Sequence, residues 1–405
     1  MFTLLRQRNF ALLWFGGLIS IMGDWVLGVA LPFFVYQASG STVATAVMVA
    51  AELLPRLLFG SIAGVFVDRW DRKKIMVITS LGQGLVILPL FLVHSAETLW
   101  IVYGVSFIQV TLAIFFGPAE NALLPLLVSE DQLIQANSLN AMNNNLARLI
   151  GPPLGGGILA LWGLAGVVLF DSLTFVIAAF MILLITRSGR IAPPAQADAQ
   201  PIGRSWSRFW REWLEGIEVI RRDRVVTVLF ITVVLLNFGG SMIDPLGAAY
   251  IIDVVKAGAD VFGLLVAVQA VGGLVGGLLA GKVGTRWPMA SLYGWAEIIL
   301  AILVALRYNI PKIPVLFVMT LLVGLPAALG IAALDTLFQR NVPNTHLGRI
   351  SGALNSTVGI TSLFGVLGIS GVLGEALGIV PVLNIAAGIT MLTGIVALMF
   401  LPENA

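Results

Sequence analysis

A helix that crosses a bilayer needs about 20 mostly apolar residues, and this sequence supplies such runs one after another. Twelve fall near 10–36, 42–66, 75–94, 98–119, 142–162, 165–186, 225–252, 260–281, 288–307, 313–336, 351–375 and 379–401. Of the 405 residues 58% are hydrophobic and only 11% are charged, more apolar surface than a soluble core of this size can hide. The chain therefore reads as an all-α integral membrane protein. Arg6 and Arg8 precede the first apolar run as they would in a signal peptide, but the run is too long and lacks a clear small-residue cleavage site, so it is predicted to be the first span.

Several classes of function fall away on composition. The net charge of +2 does not form a basic face, because the cations sit in loops, and nucleic-acid binding is not expected. With no cysteine and with two histidines, His94 and His346, far apart, neither disulfides nor a metal centre are expected. No Gly-x-x-x-x-Gly-Lys-Ser/Thr run is present, so the chain carries no phosphate-cradling loop of that kind and no cofactor is predicted. Energy for any transport must then come from an ion gradient or from the substrate's own gradient.

Orientation is set by the turn between the second and third spans, Gly64 to Lys74, where Asp68, Arg69, Arg72, Lys73 and Lys74 cluster. Short loops rich in Lys and Arg stay on the cytoplasmic side. With both termini placed inside, Lys256, Arg307 and Lys312 fall outside, Arg56 and Arg148 fall within spans, and the other eighteen of twenty-three basic residues face the cytoplasm. The cell (inner) membrane is the expected location.

One long hydrophilic interval, Arg187 to Arg224, divides the chain and holds eight arginines. The predicted organisation is a six-helix bundle over 1–186, a cytoplasmic linker over 187–224, and a second six-helix bundle over 225–405. Residues 192–201 have the composition of a flexible linker. Beyond them Trp206, Phe209, Trp210, Trp213, Leu214, Ile217 and Ile220 recur at helical spacing, with charges elsewhere around the helix, the pattern of a helix lying among lipid headgroups. An anchoring role is the reading preferred there over a regulatory one. The halves look alike: the run from Gly277 to Arg286 stands where Gly64 to Lys73 stands in the first, and the segments before the fifth and eleventh spans also match.

Ionisable residues inside a bilayer are costly, which makes each a functional candidate. Asp24 in the first span and Asp244 in the seventh are candidates for proton coupling, since burial disfavours the charged form of a carboxyl group; a permanently paired or solvated Asp is the plain alternative, and Pro245 marks a structural break beside Asp244. Glu52 and Arg56 are four apart on the second span, either a static pair or a cation that Glu52 shares with Asp24. Arg148 on the fifth span is either a cavity cation or the partner of an acid such as Glu120. Asp171 and Glu297 are expected to be structural. Gly151, Pro152, Gly155 and Gly156 form a small-residue run that permits close helix approach.

The turn Gly-x-x-x-Asp-Arg-x-x-Arg-Lys, Gly23-Asp24 with Ala30-Leu-Pro32, Glu52-Leu-Leu-Pro55, Ala136-Asn137-Ser-Leu-Asn140, Gly151-Pro-Pro-Leu-Gly-Gly156 and Phe170-Asp171-Ser-Leu-Thr-Phe175 carry a resemblance over nearly the whole chain. Together they look like the twelve-helix drug/proton antiporter-type efflux branch of the major facilitator superfamily, close to macrolide-efflux and enterobactin-exporter-like proteins. The departures are Ala147, where the fifth-span motif usually has Gly, and a second turn that lacks the Asp. The resemblance implies two six-helix halves related as a parallel repeat, with a cavity between them near midplane. It further implies export of amphipathic small molecules by proton antiport and alternating access, protons and membrane lipids as partners, and a monomer. It makes Gly64, Asp68, Arg69, Arg72 and Lys73 a cytoplasmic gate, with Asp68 near the start of the eleventh span and Arg72 reaching Glu120. Two rivals stay open: a lipid or lysolipid flippase without obligatory proton coupling, and a non-transporting receptor or scaffold, against which the buried Asp24 and Glu52 argue.

Overall fold

The computed structural model describes residues 2–187, 189, 205–342 and 347–402, and among these every regular element is helical. After a short 3-10 turn the chain forms α1 (Arg8–Ser39), α2 (Thr42–Arg69), α3 (Arg72–Val86), α4 (Leu99–Leu127) and α5 (Leu133–Leu183). It continues with α6 (Ser205–Arg222), α7 (Arg224–Ala249), α8 (Ala259–Val283), α9 (Met289–Asn309), α10 (Ile313–Asn341), α11 (Leu347–Phe364), α12 (Gly374–Leu377) and α13 (Ile379–Phe400). Wider π-helical turns follow α7 (Tyr250–Val255) and α11 (Gly365–Leu373).

Among the described residues, eleven helices are long and apolar enough to cross a membrane. One of them is double. At 51 residues α5 is more than twice the length a span needs, and at Gly163 its backbone turns to φ 64°, ψ −167°. A residue with a Cβ resists that conformation, so glycine breaks the rod into two arms, between the fifth and sixth predicted spans. The protein is thus a multi-pass membrane protein.

The turns follow local chemistry. Gly40, at φ 63°, ends α1 with its N–H on the Tyr36 carbonyl, and Ser41 then caps α2 by accepting from the Ala44 N–H at 3.2 Å. Asp71 caps α3 through the Lys74 N–H at 3.2 Å, and Asp223 caps α7 through the N–H groups of Val225 and Val226 at 2.8 and 3.1 Å.

The chain divides into two compact units, residues 1–195 with 256–267, and residues 196–255 with 268–405. In the first, α1 lies along both arms of α5, while α4 packs on α2 and α3. Leu13, Trp14, Met76, Leu123, Leu139 and Ile182 share one core, and the Trp14 indole N–H reaches the Leu139 carbonyl at 2.9 Å. Apolar side chains also face outward: Trp100, Leu161 and Trp162 are each more than two-thirds exposed. Polar ones turn in, with Ser80, Gln83, Ser106, Gln109 and Asp171 buried, an arrangement suited to lipid rather than water as solvent.

In the second unit, α9 packs between α10 and α13, and Leu229, Tyr293, Leu337 and Ala397 meet in its core. The linker helix is present as α6, and its last turns pack on α11 and α7. Gly216 lies so close to α11 that an added Cβ would stand 2.6 Å from the Arg349 carbonyl oxygen, and Ile220 is buried with Val226, Val342, Ile350 and Ala353. Trp213, Ile217 and Ile220 therefore pack against protein, while Leu214 of the same apolar set stays exposed. The side chains of Trp206, Phe209, Trp210 and the arginines beside them lie outside the described residues, as does 192–201.

Candidate functional site

Two of the sequence candidates, Asp24 and Glu120, line a cavity of about 430 Å³ inside the first unit. Ser20 and Asp24 enter it from α1, Gln83 from α3, Phe116, Glu120 and Asn121 from α4, and Asn137, Asn140, Asn143 and Asn144 from the first arm of α5. Among the described residues, the lining has two carboxylic acids and no basic side chain. The asparagines recur at helical spacing, so one face of α5 becomes a wall of amides. Asn143 is anchored by donating from Nδ2 to the Trp14 carbonyl at 2.9 Å, which leaves its buried Oδ1 without a partner. Asn140 Oδ1 is also buried and unpartnered. Such acceptors are costly to leave unmade.

Asp24 is accessible from the cavity. Gln109 on α4 and Arg56 and Glu52 on α2 are in its electrostatic surroundings. The structure thus puts Asp24, Glu52 and Arg56 in one electrostatic neighbourhood. Glu120 is separate from the cations assigned to it. Among the described residues no ion pair joins it to Arg148 or Arg72; Oε1 lies instead beside Gly17 of α1. Arg148 has its guanidinium 5.8 Å from the centre of the Trp25 ring, so an aromatic face takes the place of the expected acid. Asp244 belongs to the second unit, where Tyr308 is in its electrostatic surroundings.

The charged turn also makes defined contacts. The Lys73 ammonium donates to the Leu183 and Ile185 carbonyls at 2.9 and 2.5 Å, closing the free C-terminal end of α5 where a cation is favoured. Arg72 is buried, and its Nε and Nη1 have no hydrogen-bond partner among the described residues. The side chains of Asp68 and Arg69, and the side of the helix at Gly64, lie outside the described residues, so the gate contact expected for Asp68 does too. Lys73→Met should lower the thermal unfolding midpoint, through loss of two charge-assisted hydrogen bonds worth about 1.5–3 kcal/mol each at most. The exposed neighbour Lys74→Met is the control; equal midpoints in the two variants would remove the cap.

The glycine-proline run works as a helix crossing. A Cβ on Gly151 would stand 2.5 Å from that of Trp25, and one on Gly155 would stand 2.5 Å from the Val26 carbonyl oxygen. Gly156 meets the backbone of Ala259, and the Pro152 carbonyl meets Gly263, both in the part of α8 that belongs to this unit. Gln83, Gln109 and the asparagines escaped a search for intramembrane charge because they are neutral. Asp171, expected to be structural, is fully buried against Gly23, the residue before Asp24. The small residue beside Asp24 was the available signal.

A family model described as transmembrane secretion effector matches residues 1–404. The chain belongs to this family of the major facilitator superfamily. It is similar to macrolide efflux protein A of Streptococcus pyogenes, 25% identical over 380 residues that cover 92% of this chain and 91% of that one. It is also similar to the staphyloferrin A transporter of Staphylococcus aureus (strain NCTC 8325 / PS 47), 22% identical over 86% of each chain. A bacterial homologue of the iron transporter ferroportin, solved in an inward-facing state, shares the fold with a TM-score of 0.76 at 17% identity, over 97% of this chain and 98% of that one. Members of the family are transporters, and this protein is a secondary transporter of the major facilitator type with efflux proteins among its relatives.

Proposed function

We propose that this transporter exports amphipathic small organic molecules by alternating access, in exchange for protons, from the cytoplasm across the cell membrane. The observation that carries the proposal is the cavity in which Asp24 is accessible while Arg56, Glu52 and Gln109 act on it. A carboxyl group so placed can trade a proton for a substrate's polar end, and the amide wall of α5 offers donors and acceptors to the same molecule. The relatives support export: one is named for macrolides and one for a siderophore. Both termini are assigned to the cytoplasm on the distribution of basic residues. Asp68, Arg69 and Arg72 are retained as the cytoplasmic gate, with the chain working as a monomer.

The test is transport of a macrolide and of a siderophore by the purified protein in liposomes, with and without an imposed pH gradient. A cysteine at Gly40, labelled only from the outer face, reports orientation. Export should be several-fold faster with the gradient and should acidify the opposite compartment. Equal rates in both conditions, together with movement of a fluorescent lipid between leaflets, would replace this reading with that of a flippase.

A further inference from the structure

Asp171 has no part in the mechanism above, yet its setting is unusual. It lies on the second arm of α5, fully buried, with Oδ2 making no hydrogen bond and Oδ1 accepting only from Thr174 Oγ1 at 3.2 Å. That hydroxyl is shared with the Asp171 carbonyl, at 2.7 Å. A buried carboxylate with one shared donor and no cation costs several kcal/mol. A residue kept only for structure gains nothing there over Asn or Leu.

The carboxyl's place explains it. Oδ1 and Thr174 Oγ1 occupy the position a side chain on Gly23 would take, so Asp171 lies directly against the turn of α1 that bears Asp24. The charged group acting on Asp171 is Asp24. Around the two, α2 turns Arg56 and Glu52 toward Asp24, α4 supplies Gln109, and α3 meets this stretch of α5 through Gly84, whose carbonyl accepts from Ser172 Oγ at 2.9 Å. Glu120 of α4 lines the same cavity as Asp24. Of the two carboxyls, Asp24 is open to the cavity and Asp171 is closed off from it.

We propose that Asp24 and Asp171 form one carboxyl pair that holds a proton between them, with Asp171 as the buried store and Asp24 as the member that exchanges with the cavity. Two carboxylates this close cannot both ionise cheaply, and their protons leave in steps that belong to the pair. In the transfer, the O–H bond of the Asp24 acid breaks and one forms on the Asp171 carboxylate. Charge is conserved, and Asp24 is left as a carboxylate facing Arg56 and the cavity. The proton returns to Asp24 when the substrate leaves, and Asp24 then releases it through the cavity, so the pair stores the proton for part of the cycle without abolishing its exchange. The role in transport rests on the antiport reading; the pairing does not.

Infrared titration of the full-length protein in lipid bilayers reads the pair without any substrate, through the carbonyl stretch of protonated carboxyl groups. Asp171→Asn should remove one band and displace the midpoint of the Asp24 band by about one pH unit or more, the size of coupling that defines such pairs. Asp24→Asn should displace the Asp171 band in turn, and it reads the same coupling should Asp171→Asn not fold. Midpoints left unmoved in the variants would overturn the pair. In vesicles, Asp171→Asn should still bind a macrolide and lose its gradient stimulation; full stimulation would remove Asp171 from the cycle and leave antiport standing. Absence of gradient stimulation in the unmodified protein would instead remove antiport, with the infrared coupling intact.

Discussion

Asp24→Asn should abolish gradient-driven export while leaving substrate binding measurable. The substitution keeps the shape and polarity of the side chain, but it removes the titratable group. Without a proton to exchange, the cycle has no step at which the gradient can act, so the expected loss is the whole of the gradient-stimulated rate. Binding survives because the amides of Asn137, Asn140 and Asn144 and the Phe116 ring still line the cavity. Downhill movement of substrate should also persist, since it needs the alternation but not the coupling. The measurements are binding in detergent and flux in vesicles with and without the gradient. Normal pH-driven export in this variant would end the candidacy of Asp24.

Glu52→Gln is the companion variant. Glu52 acts on Asp24 from α2 together with Arg56, so its neutralisation alters the field at Asp24 without removing the carboxyl group. A reduced gradient response is expected there. If Glu52→Gln alone silences coupling and Asp24→Asn does not, the proton site moves to α2.

The spans were legible because a bilayer imposes a length and a polarity that composition reports directly, and even the fold-back in α5 falls where a glycine interrupts the apolar run. The site was legible only in part. Asp24, Glu52 and Arg56 announced themselves because a charge in an apolar run is costly and rare. Gln83, Gln109 and the asparagines of α5 did not, since a neutral amide in a helix is as often a surface residue as a cavity wall, and only the register of α1, α3, α4 and α5 against each other turns them to one space. Asp171 shows the limit most plainly. Its neighbour is 148 positions upstream, and nothing short of the packing of α5 on α1 brings Gly23 under its carboxyl group. Arg148 shows the reverse case, where electrostatic expectation named an acid and geometry supplied Trp25.

Gly155→Val should prevent the first unit from assembling in its present form. A Cβ at this position stands 2.5 Å from the Val26 carbonyl oxygen and 2.9 Å from the Val26 Cα. Ordinary carbon–oxygen contacts are roughly 3.3–3.6 Å, and the atoms in the way are backbone, so no side-chain rotation can relieve the overlap. Either α1 or the first arm of α5 must move outward by close to an ångström. That movement would act on Asp24, two residues before Val26, and on the amide wall, which lies about three to five turns before Gly155 on the same arm. Overpacking of this kind costs about 1–3 kcal/mol when side chains can yield, and the rigid partner here puts the expected cost at the upper end or beyond. The predicted outcome is little or no folded protein in the membrane fraction, and no transport from what is recovered. Gly157, where an added Cβ meets nothing within 4 Å, provides the control: Gly157→Val should express and transport as the parent does. The contrast is specific, since both substitutions add the same side chain to the same helical arm and remove the same glycine flexibility. Equal yield and activity in the two variants would mean that the glycine run does not hold α5 against α1, and that the position of Asp24 over the cavity is maintained by other contacts.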